Sequence, residues 1–328
     1  MADQQTTTLR QVLTQFKPRI PCAAPITKNT KVKEPPDIND RIELWHEFNR
    51  ANLDQAYGHV LDAQVPAFEI TAPSVDQMLA GRQISTFEDV KHLIAWQARL
   101  MEGVLQFSKA RLGLHPGTML KHDHSTPDQL HYARLPNAPG RQIVDHTISL
   151  DDIPVQNLIV GIGKPSSSWS GTGLACSLQG LGAAPSINTL APLRQLAKLC
   201  QFAGTRYGYI VTDEALVVCQ FARDGANAWK AFIMPIHWTK YGTKVLTTNL
   251  ALWWLSMMAM SDEGNRAIKQ VGELVSLGKW DLVCTDGDDP NKPWEWSLQH
   301  RFSKRTKPQR MVVDEEDFQL LLDNLEAD

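Results

Sequence analysis

The stretch that decides the fold runs from Val155 to Glu214. It opens with Val155-Gln156-Asn157-Leu158-Ile159-Val160-Gly161-Ile162-Gly163-Lys164, an apolar run of strand length that ends in a lysine. Residues 165–188 are rich in Ser and Gly and read as a long polar loop. Leu190-Ala191-Pro192-Leu193-Arg194-Gln195-Leu196-Ala197-Lys198-Leu199-Cys200 follows, with Leu193, Leu196, Ala197 and Cys200 at helical spacing and Gly204 placed to stop the helix. Thr205-Arg206-Tyr207-Gly208-Tyr209-Ile210-Val211-Thr212-Asp213-Glu214 then reads as a second strand.

Working outward, Gln142-Ile143-Val144-Asp145-His146-Thr147-Ile148 is a short β-like run, separated from the lysine strand by the turn Asp151-Asp152-Ile153-Pro154. Downstream, strands are predicted over 206–212, 215–222 and 229–238, with Asp224-Gly225 marking a hairpin. The run 247–260, with Trp253, Trp254, Met257 and Met258, reads as a buried core helix. It is shorter than the roughly 20 residues a membrane span needs. Upstream, Asp40 is a candidate cap for a helix carrying Leu44, Phe48 and Leu53. Thr86 with Asp89 resembles a capping box ahead of a helix whose stripe is Val90, Leu93, Ile94, Leu100, Val104 and Phe107. Gly113 and Pro116 end that helix, and 115–140 is loop-like. Strand and helix periods alternate, so the class is α/β (α+β).

At 328 residues the chain holds one large domain or two small ones. A formal net charge of −3 argues against coating nucleic acid by bulk electrostatics, though local basic patches are compatible with it. The five cysteines are odd in number, widely spaced and free of CxxC pairs, which fits a reducing, intracellular compartment, nucleus or cytoplasm. The polar start from Met1 to Leu9 lacks the apolar core of a secretory signal. Residues 1–38 read as a disordered N-terminal arm, 39–280 as the folded domain with a helical N-terminal part, and 281–328 as a flexible tail. The tail is basic at Arg301, Lys304, Arg305, Lys307 and Arg310, then acidic and leucine-bearing from Asp314 to Leu325. Its end is a candidate protein-docking helix, and Lys304-Arg305-Thr306-Lys307 matches a short nuclear-import pattern.

An aspartate, a strand ending in lysine and a helix carrying glutamine is the order used by metal-dependent PD-(D/E)XK nucleases. The run Val160 to Lys164 with Trp169 resembles the "VGDTK-x-S-x-x-W" stretch of fungal PD-(D/E)XK nuclease-like proteins. Pro192 to Gln195 and Thr205 to Val218 are similar to their "PLRQ…TRYGYIxTDEELVV" block, and Leu246 to Trp254 to their "LTVNLALW" helix. The resemblance covers about residues 140–262. It implies a restriction-endonuclease-like core, a central mixed sheet flanked by helices. It also implies Asp145 as first acid and metal ligand, Lys164 as catalytic lysine, and Gln195 as the helix residue beside them. Mg²⁺ or Mn²⁺ would be the cofactor if the site is active, since hard cations take oxygen ligands and activate water for phosphodiester hydrolysis.

The position of the second acid is Ile162, which offers no ligand oxygen. Asp151, Asp152, Glu88 and Glu102 are the candidates to replace it. The plain alternative is that Gly161-Ile162-Gly163 continues a buried strand and Lys164 emerges to solvent. Three functions follow. The first is a pseudoenzyme with a nuclease-like core that binds nucleic acid or protein, the second a working divalent-metal nuclease, and the third a structural interaction module. No membrane partner is expected.

Other signals carry less. His115, His122, His124, His131 and His146 cluster in one stretch, but their spacing fits no closed zinc motif and a solvated loop explains them. Arg206 and Tyr207 are of the types that stack on bases. Tyr209 is expected to pack, Trp169 to anchor its loop, and Cys200 and Cys219 to fill apolar faces.

Overall fold

A computed structural model describes residues 6–23, 34–67, 73, 78–136, 138, 142–225, 228–285 and 295–311. Its centre is a seven-stranded mixed sheet. The strands of that sheet are β2 (Ile42–Leu44), β4 (Leu120–His124), β5 (His146–Leu150), β6 (Gln156–Gly163), β7 (Tyr207–Val211), β8 (Ala215–Arg223) and β9 (Trp229–His237). They lie in the order β2-β9-β8-β7-β6-β5-β4. The pairs β2–β9 and β6–β7 are parallel and the others antiparallel. The connection from β6 to its parallel neighbour β7 runs through α4 (Gly171–Leu178) and α5 (Ile187–Ala203), as a parallel pair requires.

Helices α3 (Val90–Arg111) and α6 (Thr248–Ser261) pack on one face of this sheet, and α4 and α5 on the other. Strand alternation divides the core accordingly. Tyr207, Tyr209 and Val211 join the core beneath α3 and α6, whereas Val160, Ile162 and Ile210 join Leu193, Leu196 and Ala197 beneath α5. Residues Thr248 to Met260 of α6 are all buried, which explains why that helix is apolar on every side.

The caps follow the local chemistry. At the start of α3, the Asp89 carboxylate accepts from the Thr86 amide and the Thr86 hydroxyl accepts from the Asp89 amide, the reciprocal pair expected. Gly204 ends α5 at φ +71, in the left-handed region. Helix α5 begins at Ile187, earlier than expected, because Ser186 caps it and accepts from the Thr189 amide. The segment 165–188 accordingly contains α4, capped by Ser170.

Three expectations are revised. Leu44 lies on β2, and Asn49 rather than Asp40 caps the following helix, α2 (Arg50–Leu61). Within the stretch read as an N-terminal arm, β1 (Thr6–Thr8) pairs with β3 (Gln64–Pro66), α1 (Leu9–Leu13) follows, and Leu9, Leu13, Lys17 and Ile20 are buried. Few apolar residues anchor this segment, so polar composition concealed it. In the C-terminal stretch, β10 (Trp280–Thr285), β11 (Glu295–His300) and β12 (Thr306–Met311) make an antiparallel sheet of their own. The acidic, leucine-bearing end lies outside the described residues. Helix α7 (Glu263–Arg266) follows α6 directly. Among the described residues no helix is long and apolar enough to cross a membrane.

Candidate functional site

The site forms where β6 ends and α3 begins. Strand β5 starts at His146, so the Gly163 amide meets no strand carbonyl on that side. The Asp145 carboxylate takes its place and accepts that N–H at 2.8 Å. The Lys164 amide donates to the Val211 carbonyl at 3.0 Å, extending the parallel pairing with β7 by one residue. Asp145 and Lys164 thus lie on either side of one β6 terminus, as their order in the sequence predicts.

Gly163 draws the third element in. A Cβ there would stand 2.8 Å from Val90 Cγ1 and 3.2 Å from Ile94 Cδ1, so the first turn of α3 packs directly on bare backbone. That approach brings Glu88 and Lys91 within electrostatic reach of Asp145. The two form an ion pair three residues apart, Glu88 in the turn before α3 and Lys91 in its first turn, with Lys91 almost fully buried and Glu88 partly open to solvent. The Lys91 ammonium also lies 5.0 Å from the Tyr132 ring centre, and the Lys164 ammonium 5.8 Å from that of Phe87.

Four charged groups therefore influence one another. Burial pushes the Asp145 carboxyl above its ordinary pKa; the Gly163 amide, Lys91 and Lys164 pull it back, and Glu88 adds to the rise. Of the four candidate acids, Glu88 is the one coupled to Asp145. Asp151 pairs with Lys121 at 2.7 Å, Asp152 accepts from Gln156 and from the Ile153 amide, and Glu102 acts on His124. Ile162 is 2 % exposed and belongs to the apolar cluster under α5, so strand 156–163 continues as a buried strand there. Lys164 is 8 % exposed and does not emerge to solvent.

Gln195 lies on α5, against the opposite face from α3, and among the described residues its shielded Oε1 has no hydrogen-bond partner. The loop after Lys164 is tied down by the Asp213-Glu214 pair. Asp213 accepts from the Ser166 amide and hydroxyl at 2.8 and 2.6 Å, and Glu214 accepts from Ser170 and Thr172. Trp169 anchors the same loop through its indole N–H, donated to the Thr189 carbonyl at 2.8 Å.

A polar row that the sequence did not reveal crosses the sheet beneath the site. Register sets His124 opposite His146, His146 opposite Gly161, and Gly161 beside Tyr209. The Tyr209 hydroxyl shares a 2.6 Å hydrogen bond with His146 Nδ1, and the His122 and His146 rings stack at 6.0 Å. Burial lowers the pKa of His146 well below its ordinary value and that of His122 to about 4. His122 and His146 are thus uncharged structural groups in this fold. His131 pairs with Asp123 at 2.6 Å. Among the described residues no group of three or more His, Cys, Asp or Glu is arranged to hold a metal.

Arg206 and Tyr207 are both buried. The guanidinium donates to its neighbour's hydroxyl at 2.8 Å, so neither side chain is presented to a base. Cys200 and Cys219 are buried packing residues whose thiol pKa values burial raises.

Two carboxylates suit one hard cation that keeps several waters and takes further ligands from a phosphate. Asp145 and Glu88 are the two carboxylates of this cluster that could serve in that way, and neither involves Ile162. Comparison with protein-family models, with curated proteins and with solved structures yields no match.

Proposed function

We propose that this chain is a divalent-metal-dependent phosphodiesterase acting on nucleic acid, with a restriction-endonuclease-like core whose second acid is Glu88. The observation that supports this most is that Asp145 accepts from the Gly163 amide at the strand end that carries Lys164, within electrostatic reach of Glu88 from a different element. An acid at 88 in place of one at 162 keeps the charge type while moving the residue that carries it. Mg²⁺ or Mn²⁺ is the expected cofactor, held by Asp145 and Glu88; when bound it neutralises phosphate charge and acidifies a coordinated water.

The chain's own groups divide the remaining work. The Gly163 amide fixes the Asp145 carboxylate in one orientation. Lys164, on a strand end braced by Asp213 and Trp169, stabilises negative charge as it develops on the phosphoryl oxygens. During hydrolysis, water oxygen bonds to phosphorus while the bond from phosphorus to the leaving sugar oxygen breaks. One water proton ends on that leaving oxygen.

A reading as a non-catalytic core rests on the Glu88–Lys91 ion pair, which supplies a positive charge without any metal. The deciding experiment is incubation of labelled single- and double-stranded DNA and RNA with Mg²⁺ or Mn²⁺, beside Lys164→Ala and Glu88→Gln. Cleavage lost in both variants is the expected result. No cleavage by the folded native protein on any of the four substrates overturns the proposal.

A further inference from the structure

We propose that a cavity beyond the ends of β6 and β7 binds one ribonucleotide of the substrate, so that the chain takes RNA in preference to DNA. This deepens the phosphodiesterase reading and rests on it for the class of ligand.

Strands β6 and β7 are a parallel pair, and both end on the same side of the sheet, at Gly163 and Val211. The crevice beyond the carboxyl ends of parallel strands is where open α/β sheets bind ligands. A cavity of about 480 Å³ lies there, within the range of small-molecule sites. Arg19, Ile20, Ser166, Asp213, Glu214 and His237 line it. Ser166 follows Lys164 by two residues, so the cavity adjoins the strand end that carries the lysine.

Its walls are built before any ligand arrives. The Pro18 carbonyl accepts from the Trp238 indole at 3.1 Å, and the Pro21 carbonyl from the Ile84 amide at 2.9 Å. Arg19 and Ile20 lie between those two bonds. The Cys22 thiol donates to the Ser167 hydroxyl at 3.3 Å, which ties this segment to the loop after Lys164. Asp213 and Glu214 hold the same loop through Ser166, Ser170 and Thr172. A site ordered in advance spends less binding energy on ordering itself.

The lining selects the ligand. Asp213 and Glu214 carry acceptors only, and among the described residues each carboxylate oxygen receives one side-chain or backbone donor from the loop. A carboxylate oxygen has a second lone pair, so acceptor capacity remains. These groups call for hydroxyl or amino donors and repel phosphate. Arg19 is exposed at the mouth and offers the planar fork that matches a phosphate. Ile20, 2 % exposed, gives an apolar surface for a sugar or base face. A nucleotide unites these features. Within a strand the 3′ oxygen is esterified, so DNA brings no sugar hydroxyl to the carboxylates, whereas RNA brings its 2′-hydroxyl as a donor. Glu214 is exposed and Asp213 is buried, which makes Glu214 the acceptor for that hydroxyl.

The test is fluorescence anisotropy on the full chain in EDTA, where binding is read without metal or cleavage. The ligands are RNA, DNA and 2′-O-methyl RNA oligonucleotides of one sequence made of A and C. The native chain is expected to bind RNA about tenfold tighter than either of the others, the effect of one hydrogen bond to a charged group. Glu214→Ala should bind all three alike. Arg19→Gln should weaken all three by a common factor. Thr172→Ala removes a loop hydroxyl that Glu214 accepts from and should keep the RNA preference, which separates contact from loop order. The proposal is overturned if RNA binds no tighter than DNA, if 2′-O-methyl RNA binds as tightly as RNA, or if Thr172→Ala loses the preference as fully as Glu214→Ala. No binding of any oligonucleotide also overturns it, while cleavage with Mg²⁺ or Mn²⁺ would leave the phosphodiesterase reading standing. RNA-selective binding without cleavage keeps the cavity as a ribonucleotide site and removes the catalytic reading.

Discussion

The ring of Tyr209 lies across Gly161 and reaches His146 on the strand beyond. A Cβ at 161 would stand 2.2 Å from Tyr209 Cζ, so only glycine lets the phenol hydroxyl come within 2.6 Å of His146 Nδ1. Gly161→Ala therefore overpacks the row directly beneath Asp145, at an expected cost of about 1–3 kcal/mol in urea unfolding. Tyr209→Phe keeps the ring but leaves His146 without a partner on either nitrogen, since its Nε2 already has none. Its expected cost is also about 1–3 kcal/mol. A Gly161→Ala protein as stable as the native one would show that the ring has room to move.

Ile162 marks the limit of what a motif can say about this site. Restoring an acid by Ile162→Asp puts a carboxylate among Val160, Ile210, Leu193 and Leu196. The expected result is a fall in stability exceeding about 2 kcal/mol, with no gain in Mn²⁺ affinity. Ile162→Val removes one methylene and should cost about 0.5–1.5 kcal/mol. Unfolding by denaturant, followed by far-ultraviolet circular dichroism, separates the two. A stable Ile162→Asp protein that binds Mn²⁺ better would mean that position 162 still faces the cation.

Acid sensitivity follows from the buried histidines. Burial sets His122 and His300 to about 4, against an ordinary value of 6.5, and lowers His146 well below that ordinary value. Between pH 4 and 6.5 the unfolded chain binds protons that the folded chain refuses, so stability rises with pH there. It is fully present above pH 6.5 and drains away as pH falls toward 4. The unfolding midpoint should drop across that window, and His122→Gln should make the drop shallower. A midpoint that stays level from pH 6.5 to 4 contradicts the uncharged state of these rings.

The strands from 156 to 237, the helix at 248–261 and the pairing of Asp145 with the lysine strand were legible because each is written locally. Apolar runs mark the strands, Asp224-Gly225 marks the hairpin, and Thr86 and Asp89 mark the start of α3. Glu88 was legible only as one of four acids, because its approach depends on Gly163 being bare and on helix packing across some 75 positions of chain. Lys91 gave no signal, since a lysine one turn after a glutamate is ordinary on a solvated helix face. Arg206 and Tyr207 suggested a nucleic-acid surface until sheet position buried them. The N-terminal segment is not legible because Leu9, Leu13 and Ile20 are too sparse to make a periodic pattern.

Lys17 is the most exacting feature of that N-terminal segment. Its side chain is wholly buried, bonded to the Thr248 hydroxyl, with the ammonium 4.1 Å from the centre of the Trp238 ring. Among the described residues no carboxylate pairs with it, and burial lowers its pKa well below 10.5. The folded chain therefore carries an uncharged or readily discharged amine where the unfolded chain carries a charged one. From the lowered folded value up to 10.5 the unfolded state holds the extra proton, so stability rises with pH, by at most about 1.4 kcal/mol per unit. Lys17→Met keeps the stem and removes the amine. It should raise stability near neutral pH by about 1–4 kcal/mol, as apolar replacement of buried charge does. It should also flatten the rise with pH below 10.5 in urea titrations. A variant that is less stable, with the slope unchanged, would show that Thr248 and Trp238 together hold Lys17 charged, and that this cation pins the N-terminal segment to α6.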